Sequence, residues 1–487
     1  MDVGGFEAEL EGRLASLAST PLRGPAIANL LRFTFDRDRR AQAIRRAVQA
    51  FLIRKTIAHA RSNTRWYASH DYSAEPRLGR GMEPDLTCWP VLDRSAVREN
   101  FDSLLAGDVA FESSCHTSGS TGASLTIYKS SEELAFLWEY YRALMLPSLK
   151  GLRRRPLVLT FPNVYHGSAV RLPSAGRVFV SGVTDDTLIN DALRVLEKTY
   201  RIAEHDDRIS IISGLSFHVK FFTSFLLERG YAPRDFRVAS LTIVGEYVSQ
   251  TARKFLQDAW GAMVFERFTL TESAGGADRC HRCGRLHLDP HLIGEVLDHD
   301  SGHPVEEGVG RLVLTQLYPF VQMQPLLRYD TGDIVRRLPD TCRSGSLTFE
   351  FLGKAANCVR FDVDGRTEWL LFSVDLHEVL CRIPDIRLHD TFVNVRSVRD
   401  TTVGSPPIFK QSLRRAEGAP TTLQLELELR YAPHFFADRA GEVAAQIRSA
   451  LLEASESLAR RVEDGSVVLA IQLFGPGTLG GTFAIKV

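Results

Sequence analysis

The densest set of residues able to do chemistry is the run His116-Thr117-Ser118-Gly119-Ser120-Thr121-Gly122, in which two glycines and four hydroxyl side chains lie between apolar segments. Glycine opens backbone angles closed to other residues, so successive N–H groups can turn toward one anion, and the hydroxyls add donors. Such a loop suits a polyphosphate; a plain serine-rich turn is the competing reading. It is not a Walker A loop, because Ala123 stands where a lysine should follow the last glycine. A second set is Cys280-His281-Arg282-Cys283-Gly284-Arg285-Leu286-His287. Cys-x2-Cys with a histidine four residues on has the spacing of zinc ligands. Cys342 is available as a fourth ligand, with His281 in competition; a redox-inert cysteine loop is the alternative. Three short segments each end in a carboxylate: Val244-Gly245-Glu246, Phe268-Thr269-Leu270-Thr271-Glu272 and Arg328-Tyr329-Asp330-Thr331-Gly332-Asp333. Any one of these acids alone reads as a surface residue. No nucleophile elbow or Ser-His-Asp order points to hydrolysis.

The elements around these residues follow an α/β pattern. Short apolar runs at Pro156–Pro162, Arg177–Ser181, Arg208–Gly214 and Val238–Gly245 read as strands, separated by helical patterns at Asp191–Arg201 and Phe217–Arg229. That alternation implies a layer with parallel pairing, whose ligands gather beyond the carboxyl ends of strands, where Gly214, Gly245 and Glu246 fall. Residues 6 to 62 are helical in pattern, with the arginines of Ala41–Ile53 expected on a solvated face. Residues 294 to 338 are strand-rich. The tail after about residue 355 reads as a separate α+β unit, with a helix at Ser373–Arg382, strands near Asp390–Val398 and Thr422–Tyr431, a helix over Phe435–Val462 and a strand at Val467–Phe474.

Composition narrows the class. The 487 residues are 44% hydrophobic and 24% charged, with zero formal net charge, which argues against general nucleic-acid or anionic-membrane binding. No apolar run approaches the length needed to span a bilayer. The acidic first ten residues lack the basic-then-apolar order of a signal peptide, and seven cysteines, an odd count, do not form a disulfide framework. A cytoplasmic protein is expected, with its oligomeric state open.

In their order and spacing, the hydroxyl-rich loop, the three acidic segments and Gly353-Lys354 resemble the adenylate-forming superfamily of acyl-CoA synthetases, adenylation domains and luciferases. More narrowly, Ala58-His59-Ala60-Arg61-Ser62-Asn63-Thr64-Arg65-Trp66-Tyr67 and Trp89-Pro90-Val91-Leu92-Asp93-Arg94 look like the phenylacetate–CoA ligase branch. The resemblance implies a large multi-layer α/β domain over 1–353 binding ATP and acid, and a small, mobile α+β C-terminal domain over 354–487. It implies that Thr117, Ser118, Gly119, Ser120, Thr121 and Gly122 hold the β- and γ-phosphates of ATP. Gly245 and Glu246 would lie along the adenine under Phe268. Asp333 would accept the ribose hydroxyls, and Glu272, beside Thr271, would bind Mg2+. Lys486 would touch the carboxylate and phosphate during adenylation.

Three departures stand out. The usual Gly-Arg-x-Asp at the domain join is Gly353-Lys354-Ala355-Ala356, which keeps a charge at Lys354 but loses the arginine fork and the hinge aspartate. Thr269 replaces a glycine, implying a smaller or more polar acyl pocket. Some members of the branch also hold a metal with cysteines and a histidine, and here Ser344 stands where their second late cysteine would be. The implied activity is formation of an acyl-adenylate from a carboxylic acid, then transfer to a thiol, most naturally CoA. A non-CoA acceptor and a zinc-stabilised, non-catalytic nucleotide-binding protein are the alternatives. No nucleic-acid or membrane partner is expected.

Overall fold

The computed structural model describes residues 22–31, 39–70, 84–117, 124–145, 156–161, 177–202, 205–245, 247–342, 344–363, 365–388, 407–415 and 419–479, with positions 12, 15, 72 and 76. Contacts divide the chain into two compact units. The first comprises Met1–Val158, Asn163–Val178 and Glu266–Glu350; the second comprises Leu159–Pro162, Phe179–Phe265 and Phe351–Val487. Among the described residues, no helix is long and apolar enough to cross a membrane.

In the first unit the helix Arg39–Asn63 lays Ile44, Val48, Phe51 and Leu52 into a core shared with Tyr67, Trp89, Leu326 and Tyr329. The three- and four-residue spacing of those apolar positions is what buries this face. The expectation that its arginines are solvated fails at Arg45. That side chain is 2% exposed, and its Nη1 donates to the Ser344 carbonyl at 2.8 Å and the Ser346 hydroxyl at 3.1 Å. A backbone loop far along the chain supplies acceptors that helical periodicity cannot reveal. Arg45→Met is expected to lower stability by about 2 kcal/mol, read as a shift of the urea midpoint, since it leaves a part-buried carbonyl without its charged donor.

Beyond that helix, Phe111–His116 and Thr126–Ser130 pair antiparallel, with His116 opposite Thr126. His116 and Thr117, which open the hydroxyl-rich segment, therefore stand at the end of the first strand of this pair. Three further strands, Leu292–Leu297, Gly308–Gln316 and Tyr329–Leu338, form an antiparallel meander. In the last of them buried Tyr329, Thr331 and Asp333 alternate with half-buried Asp330 and Gly332, the period of two that a strand with one covered face requires.

The second unit contains the expected parallel pairing. Ile209–Gly214 and Ser240–Val244 run parallel, and each is followed by a helix, Ser216–Glu228 and Gln250–Trp260. His218 on the first helix is a packed histidine: it is buried against Phe161, and burial lowers its pKa to about 4. The tail is α+β, as read from the sequence. Phe409–Arg414, Thr421–Glu428 and Val467–Phe474 form one sheet, and their apolar side chains share a core with the helices Ser373–Cys381, Ala437–Ala454 and Glu456–Glu463. The single helix expected over Phe435–Val462 is two, because Ser455 leaves helical angles and its side chain caps the second at Leu458 N. The helix expected at Asp191–Arg201 is drawn back to Asp186–Glu197 by the cap at Asp185, and Tyr200–Ile202 is a strand. The strand expected near Asp390–Val398 lies outside the described residues.

Candidate active site and a Cys/His cluster

The first unit gathers several of the residues marked by the sequence. Strands Met263–Thr269 and Gly276–Arg279 pair with Thr269 opposite Gly276, so Leu270–Gly275 is a tight connection carrying Thr271 and Glu272. Gly276 is required here: a Cβ would lie 1.9 Å from the Phe268 carbonyl oxygen. Gln316, from the meander, holds the turn at both sides. Its Nε2 donates to the Glu272 carbonyl and its Oε1 accepts from Ala274 N.

The Glu272 side chain is 8% exposed, and its Oε1 accepts two hydrogen bonds, from Arg94 Nη1 at 3.2 Å and Tyr329 OH at 3.1 Å. Burial, and then the negative charge of Glu272, push the Tyr329 phenol far above its ordinary range, so it remains a protonated donor; Asp333 acts in the same direction. The second amino group of Arg94 donates to Thr117 Oγ1 at 2.7 Å. Thr117 is itself fixed, since its Oγ1 accepts from Leu125 N at 2.8 Å and its backbone N–H donates to Leu125 O at 2.9 Å. One guanidinium thus joins the residue that opens the hydroxyl-rich segment to the acid of the second motif. Asp333 is 1% exposed on the strand that begins at Tyr329.

Nothing in the sequence marks Arg94 as a site residue, although it closes the Trp89–Arg94 segment. Its position is dictated locally and at long range. Asp93 caps the short helix Arg94–Glu99, accepting from Ala96 N at 2.7 Å. Leu92 is stitched beside Tyr329 by two backbone bonds, Leu92 N to Arg328 O and Asp330 N to Leu92 O, both 2.9 Å. Arg328, with a left-handed φ of 47°, is held there by both oxygens of Glu295 at 2.9 Å and by the Trp89 carbonyl. A buried ion pair so overdetermined aligns the strand and the Trp89–Arg94 segment together.

Other marked residues are placed as follows. Phe268 is half-buried, edge-on to Phe349 at 5.8 Å, and Thr271 is half-buried in the turn. Gly245 and Lys354 belong to the second unit. Gly245 ends its strand with φ 76°, and Lys354 is half-buried at the end of strand Thr348–Lys354. Next to it Gly353 has φ 127°, and a Cβ there would lie 1.9 Å from Ser373 Oγ. Ser118, Gly119, Ser120, Thr121, Gly122, Glu246 and Lys486 lie outside the described residues.

The cysteine set is assembled. Cys280 and Cys283 lie in the turn between strands Gly276–Arg279 and Leu286–Leu288, closed by Gly284 at φ 71°. Gly284 N donates to the Cys280 carbonyl at 2.8 Å, and Arg282 N points at Cys280 Sγ at 3.4 Å. His287 pairs with Thr348 across the sheet, and Cys342 comes from the connection before that strand. The ligand atoms of Cys280, Cys283, His287 and Cys342 all lie within 4.8 Å of one another. His281 is exposed and outside the group.

Cys280 Sγ and Cys342 Sγ are 3.7 Å apart, and Cys283 Sγ is 3.3 Å from His287 Nε2. A tetrahedral zinc ion would set roughly 3.8 Å for the first and 3.6 Å for the second. The other ring nitrogen, Nδ1, bonds to Ser344 Oγ and Thr348 Oγ1, each at 3.0 Å, which turns Nε2 toward the thiols. Ser344 is therefore a support for the histidine, and buried Arg45 holds its carbonyl. Burial lowers the His287 pKa and keeps the ring neutral; burial, then Cys283 and Cys280, raise the Cys342 thiol to about 12. Three thiols and a neutral imidazole fit zinc.

No family model matches the chain. In fold it is similar to solved adenylate-forming acid–CoA ligases. An open conformation of 2-hydroxyisobutyryl-CoA ligase, bound to 2-HIB-AMP and CoA, aligns over 91% of both chains with a TM-score of 0.57 at 14% identity. The postadenylation state of that ligase, bound to R3-HIB-AMP, aligns over 90% of this chain and 88% of the other with a TM-score of 0.55 at 15% identity. In sequence it is similar to the phenylacetate-coenzyme A ligase of Thermus thermophilus, 23% identical over 453 residues, or 89% of this chain and 93% of the relative. The resemblance drawn from the motifs, to that branch of the superfamily, is borne out.

Proposed function

We propose that the chain activates a carboxylic acid with ATP, releases pyrophosphate, and passes the acyl group to a thiol, with CoA as the acceptor. The observation that carries this reading is the meeting of Thr117 and Glu272 on one guanidinium beside Tyr329. In the first step a carboxylate oxygen of the acid bonds to the α-phosphorus. The bond from that phosphorus to the α,β-bridging oxygen breaks, and its electron pair leaves with pyrophosphate. In the second, the thiol sulfur bonds to the acyl carbon, the thiol loses its proton, and AMP departs with the electrons of the acyl–oxygen bond.

The residues divide this work. The segment Thr117–Gly122 offers donors to the β- and γ-phosphates, where negative charge has to be stabilised. Gly245, Glu246 and Phe268 receive the adenine, and buried Asp333, acceptor-only when ionised, takes the ribose hydroxyls. Glu272, next to Thr271, is the ligand for Mg2+, and it fits that role because its Oε1 already accepts a cationic partner. Mg2+ bound there would offset phosphate charge. Lys486 would contact the acid carboxylate and the α-phosphate, carried by residues 354–487 acting as a mobile domain against 1–353. Zn2+ on Cys280, Cys283, His287 and Cys342 is structural, since four protein ligands leave no open position.

A second reading keeps adenylation but replaces CoA by another acceptor. It is favoured by Lys354-Ala355-Ala356, where the arginine and aspartate of the hinge pattern are lost. Acid-dependent exchange of label between pyrophosphate and ATP across a panel of carboxylates tests the shared first step. CoA consumption with the best acid separates the two acceptors. Absence of exchange and of ATP binding by calorimetry would leave a non-catalytic, zinc-stabilised protein.

A further inference from the structure

We propose that Arg94 is a placeholder cation: without nucleotide it occupies Glu272, and on arrival of Mg2+ and ATP it yields that carboxylate and clamps the terminal phosphates. The inference rests on the reading of Glu272 as the Mg2+ ligand and of Thr117 as the start of the triphosphate segment. Its own basis is geometric. One guanidinium reaches Glu272 Oε1 at 3.2 Å with Nη1 and Thr117 Oγ1 at 2.7 Å with Nη2. Two cations competing for one carboxylate oxygen repel strongly at such distances, so metal binding at Oε1 requires this guanidinium to leave.

It has a place to go. The Arg94 side chain is 32% exposed, whereas its backbone is fixed by the Asp93 cap and the Leu92 stitching. Only the head group has to move. Its contact with Thr117 already lies on the residue that opens the phosphate segment, and a planar fork of donors matches phosphate oxygens two at a time. Tyr329, a protonated donor on the same Oε1, keeps Glu272 oriented after the guanidinium leaves. The exchange also solves an electrostatic difficulty, since a nearly buried carboxylate lacking any cation would be costly in the empty enzyme.

The test has two readouts. Mn2+ alone is titrated into the nucleotide-free full chain and followed by electron paramagnetic resonance. ATP and pyrophosphate binding are measured by calorimetry in excess Mg2+. In Arg94→Met, Mn2+ affinity is expected to rise about tenfold, while ATP and pyrophosphate affinity falls about 10- to 100-fold. The gain in Mn2+ affinity should vanish in the Arg94→Met/Glu272→Gln double variant. Arg94→Lys, which keeps the charge but not the fork, should hold Mn2+ affinity near wild type and still weaken pyrophosphate. Weakening of both ligands in Arg94→Met would make Arg94 a structural support and overturn the proposal, as would no change in either. A wild-type chain that binds neither MgATP nor pyrophosphate would instead overturn the acid-activation reading, which separates the two failures.

Discussion

Glu272→Gln is expected to reduce acid-dependent ATP–pyrophosphate exchange by about 10²–10³-fold, the scale on which removal of one preorganised charge-stabilising group acts. Glutamine keeps the shape of the side chain and an oxygen for Tyr329 OH, so the turn held by Gln316 should persist. What it loses is the charge that attracts a divalent cation. The defect should therefore appear as a much higher Mg2+ requirement, with a thermal midpoint close to wild type. Asp333→Asn supplies the contrast: with the ribose acceptor impaired, the loss should fall mainly on ATP affinity and be insensitive to added Mg2+. Equal exchange rates in wild type and Glu272→Gln over a broad acid panel would remove Glu272 from the chemistry.

The second large effect concerns the cysteine set. Wild-type chain is expected to contain about one zinc per molecule, and Cys280→Ser/Cys342→Ser to contain almost none. The three connections that meet there are the turn after Arg279, the strand bearing His287 and the segment bearing Cys342, so losing the ion releases all of them from one another. A deficit of several kcal/mol is expected, which in a unit of this size shifts the thermal midpoint by about 10 °C. Metal analysis and calorimetry on the same preparations check both parts. Ser344→Ala, which removes one of two hydroxyls orienting His287, should retain the metal but bind it about tenfold more weakly. A metal-free wild type would sink the site.

Much of this was legible in residue types at short spacing. Cys280, Cys283 and His287 lie within one hairpin, so their spacing alone brought them near each other. The α/β layer could be read from apolar runs alternating with helical patterns, and Ile209–Gly214 and Ser240–Val244 are parallel strands as that alternation requires. Where local reading failed, a neighbour distant in the chain or a capping side chain was responsible. Ser455 splits a helix that periodicity reads as continuous, because a hydroxyl that caps the next turn competes with helical angles.

Chemistry-bearing residues, their order and the family pattern they compose were thus set by local composition: glycines and hydroxyls for an anion, carboxylates for a cation and a sugar, thiols and an imidazole for zinc. Which of them meet was decided by strand pairing and burial. Arg94 and Glu272 are 178 positions apart, and nothing in either segment marks them as partners. They meet because Leu92 is bonded alongside the strand of Tyr329, while Gln316 holds the Glu272 turn from the same meander. Arg45 reads as a solvated arginine on an amphipathic helix, and becomes a buried support of the Cys/His cluster once the Ser344–Ser346 loop covers it. Side-chain identity limits the chemistry available, but distance and desolvation select from it, and both arise only when remote segments pack together.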